Sequence, residues 1–208
     1  MDTSNKSSFT DQDVTLENTQ VAYQGFFKML KYTLKHRLFN GGWSKNFSRE
    51  LFVRGDAAAA ILYDPKADQI GYVEQFRVGA MAAGQNPWCL EVVAGMIDKG
   101  ETGRSTIERE LVEEADFYPA EIIEIGSYLS TPGGCDERVW LYCALGDLSK
   151  IGGVHGLDDE NEDIRVHVES AETVLNRIFT DRFNNAATVI ALQWLALNRA
   201  RLIEAHRD

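Results

Sequence analysis

Three things are scarce in this 208-residue chain: cysteine, basic residues relative to acidic ones, and long apolar runs. The three cysteines, Cys89, Cys135 and Cys143, show no metal-ligand spacing. A small odd number without a secretory leader argues against a disulfide framework. They are expected to fill gaps in a core, although Cys135, beside two glycines, is expected at the surface. No stretch approaches the ~20 consecutive apolar residues of a membrane span. The polar first twenty residues lack the apolar segment of a secretory leader, so a cytoplasmic protein is expected. Lys and Arg number 21 against 32 Asp and Glu, a formal charge of -11. That disfavours non-specific nucleic-acid binding, which needs clustered cations to displace counterions. A small anionic substrate is still compatible with it, since a local pocket can be positive.

What is present reads as a soluble globular chain with 44% hydrophobic residues and no internal repeat. Residues 1–20 are polar and are expected to form a poorly ordered arm leading into a first strand. Residues 26–38 alternate, Asn40-Gly41-Gly42 signals a hairpin turn, and a return strand is expected over 43–53. This makes a small β unit over 1–55, too small to bury much core alone. From residue 56 on, strands are expected over 57–63, 70–76, 88–94, 122–129, 139–145 and 164–168. Helices are expected over 101–116, from Ser170 to about 179, and from Asn185 to about 205. The segment 146–163 shows no clear element. Strands on both sides of a helix, with helices at the end, predict a mixed α/β sandwich over 56–208.

The segment 101–116 carries the chemistry. At 100° per residue, Ile107, Leu111 and Ala115 form an apolar stripe. Glu110 and Glu114 lie one turn apart at its edge, with Glu113 on the same flank. Read alone, this is a solvated acidic face in which Arg109 pairs with Glu113 at i, i+4. Like charges at i, i+4 repel, and partial burial sharpens that repulsion. A hard divalent cation with oxygen ligands reverses its sign. The spacing decides between the two. Gly95-x5-Glu101-x7-Arg109-Glu110-Leu111-x-Glu113-Glu114 resembles the Nudix box, a strand-loop-helix motif. One position departs: the closing glycine of the pattern is Asp116, which tolerates a left-handed helix end better than most residues.

Nearly the whole chain is similar to the ADP-ribose pyrophosphatases of the Nudix superfamily, in particular the bacterial homodimeric kind. The matching stretches include Gly25-Phe26-Phe27, His36-Arg37-Leu38-Phe39-Asn40-Gly41, Arg49-Glu50, Arg54-Gly55, Gln75-Phe76-Arg77 and Val93-Ala94-Gly95-Met96. Pro132-Gly133-Gly134, Glu137-Arg138, His155-Gly156-Leu157 and the acidic run from Asp159 to Val168 continue the match. The resemblance implies a Nudix α/β/α sandwich with a mixed sheet, plus a small N-terminal antiparallel β domain exchanged in a homodimer. It implies two or three Mg²⁺ per site, with Mn²⁺ as a substitute. Metal would be held by the Ala94 carbonyl, Glu110, Glu114 and Glu162, with Glu113 nearby, and Glu160 would be the general base on a loop that closes over the substrate. Arg49, Glu50, Arg54, Arg77, Met96, Thr131, Pro132, Gly133 and Glu137 would line the substrate site. Thr131 stands where the family pattern has Ser. Arg54 and Arg77 would clamp the diphosphate, because guanidinium forks match phosphate oxygens. Phe26 and Phe27 would stack near the adenine from the partner subunit.

The implied reaction is hydrolysis of ADP-ribose to AMP and ribose 5-phosphate, by water attacking the adenosine-side phosphorus. The substrate would be a small molecule, with neither nucleic acid nor membrane as partner. Two alternatives remain. One is a hydrolase of another nucleoside diphosphate sugar, such as GDP-mannose; the 155–168 stretch speaks against it. The other is a non-catalytic module that binds ADP-ribose; the complete set of box glutamates speaks against that.

Overall fold

The computed structural model describes residues 9–157, 161–179 and 182–207. The chain divides into two units, one made of Met1–Arg54 with Thr131–Glu137, the other of Gly55–Ser130 with Arg138–Asp208.

The first unit is a three-stranded antiparallel sheet of β1 (Val14–Gln24), β2 (Lys28–His36) and β3 (Phe47–Val53), in that order. Strand β1 replaces the later part of the poorly ordered arm expected over 1–20, of which residues 1–8 lie outside the described residues. Its eleven residues pair with β2 through two bulges, and a turn at Asp11–Asp13 capped by Thr10 leads into it. It reads as polar because nearly all its residues are exposed, so no apolar alternation marks it. β-branched and aromatic residues, Val14, Thr15, Thr19, Val21 and Tyr23, still favour an extended chain. Residues Thr131–Glu137 attach to β3: Phe52 N–H donates to the Gly134 carbonyl at 2.8 Å, and Arg54 N–H to Asp136 Oδ1 at 3.3 Å. Cys135 forms a bridge with Phe52 and is buried, not exposed as expected; its flanking glycines mark a turn folded onto a strand.

The second unit is a sandwich. Its central strands are β4 (Ala57–Asp64) and β5 (Gln69–Phe76), followed by the short helix α1 (Val78–Ala82), β6 (Trp88–Glu91), β7 (Val93–Met96) and helix α2 (Gly103–Ala115). Then come β8 (Glu121–Leu129), β9 (Arg138–Leu145), β10 (Gly153–His155), β11 (Ile164–Ser170), α3 (Ala171–Leu175) and α4 (Ala186–Ala205). The sheet runs β10-β11-β5-β4-β9-β8, with β6 on β5 and β7 on β4; β4 and β9 are parallel and the remaining pairs antiparallel. Ala58, Ala60 and Leu62 face a core with Ile107 and Leu111 of α2, whereas Ala59, Ile61 and Tyr63 face one with Leu192 and Leu195 of α4. This is the expected mixed α/β architecture.

Three expectations change here. The single strand expected over 88–94 is two, because the chain passes from β5 to β4 at Val92, whose N–H donates to the buried Thr188 hydroxyl at 3.0 Å. The segment 146–163 contains β10, three residues that follow Gly152 and pair with β11. The helix capped by Ser170 ends at Leu175, not near 179. No helix among the described residues is long and apolar enough to cross a membrane.

Candidate active site

Helix α2 is started by Thr102, which accepts from Ser105 N–H, and closed by Asp116 at φ 46°, ψ 40°, the left-handed conformation foreseen for it. Ile107, Leu111 and Ala115 are fully buried against the small side chains of β4, so α2 lies close to the sheet. The closeness extends to β7. A Cβ on Gly95 would meet Glu110 Oε1 at 1.7 Å and Cγ at 2.7 Å. Any side chain at this position would have to displace the Glu110 carboxylate.

Glu114 is the most deeply placed of the carboxylates, at 2% exposure. Ala94 N–H donates to its Oε2 at 3.1 Å and Gln75 Nε2 to its Oε1 at 3.5 Å. Both donors are neutral, and no cation among the described residues lies within ion-pair distance. Burial first, and the charge of Glu110 second, push its carboxyl up to about 8. Glu110 is also raised by burial, against the pull of Arg109. Glu162 adds to the negative field at both. Its own carboxylate accepts from Leu157 N–H at 3.2 Å.

Arg109 organises the outer carboxylates. Nη1 donates to Glu110 at 2.7 Å and to Glu113 at 2.8 Å, while Nε and Nη2 reach Glu101, both at 3.2 Å. Hydrogen bonds from Arg109 and Thr106 hold Glu101 down at about 2. Arg77 donates from Nε to Glu91 at 2.7 Å and lies near enough to lower the proton affinity of Glu114. The Met96 methyl approaches Gly55.

In the first unit, Phe26 and Phe27 pack edge to face at 4.7 Å, and Phe27 meets Phe52 at 5.2 Å. The Arg54 guanidinium sits over Phe27 at 5.5 Å, with Glu137 3.2 Å from its Nε. Thr131 accepts from Gly134 and Cys135 N–H across the turn holding Pro132 and Gly133, and the Glu50 carbonyl lies beside Gly134. Segments some eighty residues apart in sequence thus bring Phe26, Phe27, Arg54, Glu137 and the Gly-Gly turn together. Arg49 does not join them; its guanidinium covers Phe47 and donates to the Ser48 carbonyl. Glu160 lies outside the described residues.

The donor set of the second unit suits a hard divalent cation. It is made only of oxygens, and Glu114 is a buried acid with no cation in ion-pair contact among the described residues, a state that isolated burial disfavours. Among the described residues no three carboxylate, imidazole or thiol groups form a ready cage. Arg109 holds Glu110 and Glu113, and Leu157 holds Glu162, so a cation has to compete with internal donors. Sequence reasoning missed Gln75 and Glu91. Each reads as an ordinary strand residue, and only the pairing of β5 with β6 turns them toward α2.

Residues 53–192 match the NUDIX domain. The ADP-ribose pyrophosphatase of Escherichia coli strain K12 is 42% identical over 195 residues, covering 94% of this chain and 93% of that protein. The ADP-ribose pyrophosphatase of Haemophilus influenzae is 41% identical, covering 93% and 91%. A crystal structure of ADP compounds hydrolase superposes with a TM-score of 0.65 over 92% of this chain and 98% of that one; at 19% identity the likeness speaks for the fold. With the box carboxylates in place and the match running nearly end to end, the chain belongs to the Nudix hydrolase family, among the ADP-ribose pyrophosphatases.

Proposed function

We propose that this protein hydrolyses the diphosphate of ADP-ribose to give AMP and ribose 5-phosphate, with the help of a divalent cation. The reading is carried by near full-length likeness to ADP-ribose pyrophosphatases in a chain whose buried Glu114 lies in the negative field of Glu110 and Glu162. The Ala94 carbonyl, Glu110, Glu114 and Glu162 would hold the cation, with Glu113 at hand. Mg²⁺ is the first choice, two or three per site, and Mn²⁺ its substitute. When bound, such ions neutralise the diphosphate and make water easier to deprotonate.

The remaining work falls to the chain. Arg54 and Arg77 bind diphosphate oxygens with their guanidinium forks. Glu160, two residues before Glu162, accepts the proton of the attacking water. The water oxygen bonds to the adenosine-side phosphorus as the bond from that phosphorus to the bridging oxygen breaks, and ribose 5-phosphate leaves. Arg49, Glu50, Met96, Thr131, Pro132, Gly133 and Glu137 line the site. Phe26 and Phe27 stack on adenine from the partner subunit of a homodimer, exchanged through the N-terminal unit 1–55, while 56–208 carry the carboxylates. A cytoplasmic location is proposed with it. Hydrolysis in heavy-oxygen water tests the reading: the label is expected on AMP, and label on ribose 5-phosphate would reject attack at the adenosine side.

A further inference from the structure

Glu91 ends β6 with a side chain only 12% exposed. Its Oε2 accepts from Arg77 Nε at 2.7 Å. The Arg77 backbone is fixed independently, since its N–H donates to the Pro87 carbonyl at 2.7 Å just beyond the β5–β6 pairing of Phe76 with Trp88. Among the described residues the two Nη groups of Arg77 have no hydrogen-bond partner. Arg77 also feels a second carboxylate. Burial opposes its charge, and Glu91, then Glu114, sustain it. Of these two, only Glu91 lies within hydrogen-bond reach.

A guanidinium is a rigid fork, so occupying Nε aims the remaining donors. A buried carboxylate such as Glu91 is costly without a partner, whereas Arg77, with 43% of its side chain exposed, keeps part of its hydration. Without Glu91, the carboxylate left acting on the Arg77 charge is Glu114. An ion pair between these two would occupy a cation ligand and consume the Nη donors together.

We propose that Glu91 is a positioning residue: it holds Arg77 by Nε, so that both Nη groups stay available for the substrate diphosphate and the guanidinium stays off Glu114. The proposal rests on Arg77 as a diphosphate ligand, as read above.

The test compares wild type with Glu91→Leu, Glu91→Gln, Arg77→Leu and the Arg77→Leu/Glu91→Leu double variant. Two quantities are read: Mn²⁺ affinity of the metal-stripped protein by electron paramagnetic resonance, and KM and kcat for ADP-ribose. Glu91→Leu is expected to weaken Mn²⁺ binding about tenfold and to raise KM about tenfold, the scale of lost support around metal ligands. In the Arg77→Leu background the same change should alter either by less than about twofold, because the effect runs through Arg77. Glu91→Gln keeps an acceptor and should stay within about threefold of wild type. Should Glu91→Leu not fold, Glu91→Asp, which withdraws the carboxylate by one methylene, must move both readouts in the same direction. Wild-type values in Glu91→Leu or Glu91→Asp, or an equal loss in both backgrounds, overturn the proposal. An unchanged KM in Arg77→Leu overturns it too. If ADP-ribose is not turned over at all, the Mn²⁺ arm and the nitrogen-15 signal of the Arg77 Nε–H still decide. A slowly exchanging signal lost in Glu91→Leu supports the clamp while the substrate reading fails separately.

Discussion

Glu110 occupies the space that a Cβ on Gly95 would need, with three of its atoms under 3.0 Å from that point. The strand and helix of the box are therefore fitted to each other at one missing methyl group. Gly95→Ala must push Glu110 aside. Because a flexible side chain can swing away, the stability loss should stay near ~1 kcal/mol. Divalent affinity and kcat/KM should fall about 10- to 100-fold. Thermal melting beside Mn²⁺ titration checks the split, and a variant that melts early yet binds Mn²⁺ normally would contradict it.

Asp116 holds a left-handed conformation where glycine suffers no Cβ penalty. Asp116→Gly is expected to stabilise the protein by up to about 1 kcal/mol, or about 2–4 °C in Tm. Turnover should not change. A lower Tm would mean that the aspartate makes a compensating interaction.

Glu114 carries the clearest pH signature. Its folded pKa of about 8 lies above the ordinary carboxylate value, so the folded metal-free protein retains a proton that the unfolded chain gives up. The stability tied to that proton is fully present below pH ~4 and is lost as pH rises toward 8. In chelator-treated protein, Glu114→Gln should raise stability at pH 7 by on the order of 2 kcal/mol and change little at pH 4. Denaturant melts at the two pH values test this. Equal effects at both would remove burial as the cause.

Glu160→Gln and Glu114→Gln should fail differently. The first should lower kcat by about 10²- to 10⁴-fold with KM nearly unchanged. The second should weaken divalent binding, read directly with Mn²⁺. Near-normal turnover in Glu160→Gln would remove it as the base.

The apolar stripe of α2, its αL end at Asp116 and the hairpins β2–β3 and β4–β5 were legible because each has a local signal: a period, a cap or a glycine turn. Strand β1 was hidden by its exposure, and β10 by its three-residue length. The break at Val92 depends on a hydroxyl from α4 nearly a hundred residues away, which no local pattern encodes. The site followed the same rule. The box glutamates stood out by spacing on one helix. The Gln75 contact to Glu114 and the Glu91 contact to Arg77 arise from strand pairing, so their strand residues carried no mark.

The most direct measurement is a panel of ADP-ribose, GDP-mannose and other nucleoside diphosphate sugars with Mg²⁺, with every product identified. ADP-ribose should give the highest kcat/KM, by about tenfold or more, the scale at which a fitted site rejects a mismatched group, and should yield AMP and ribose 5-phosphate in equal amounts. A higher kcat/KM for GDP-mannose, or tight binding of ADP-ribose without turnover, would contradict the account.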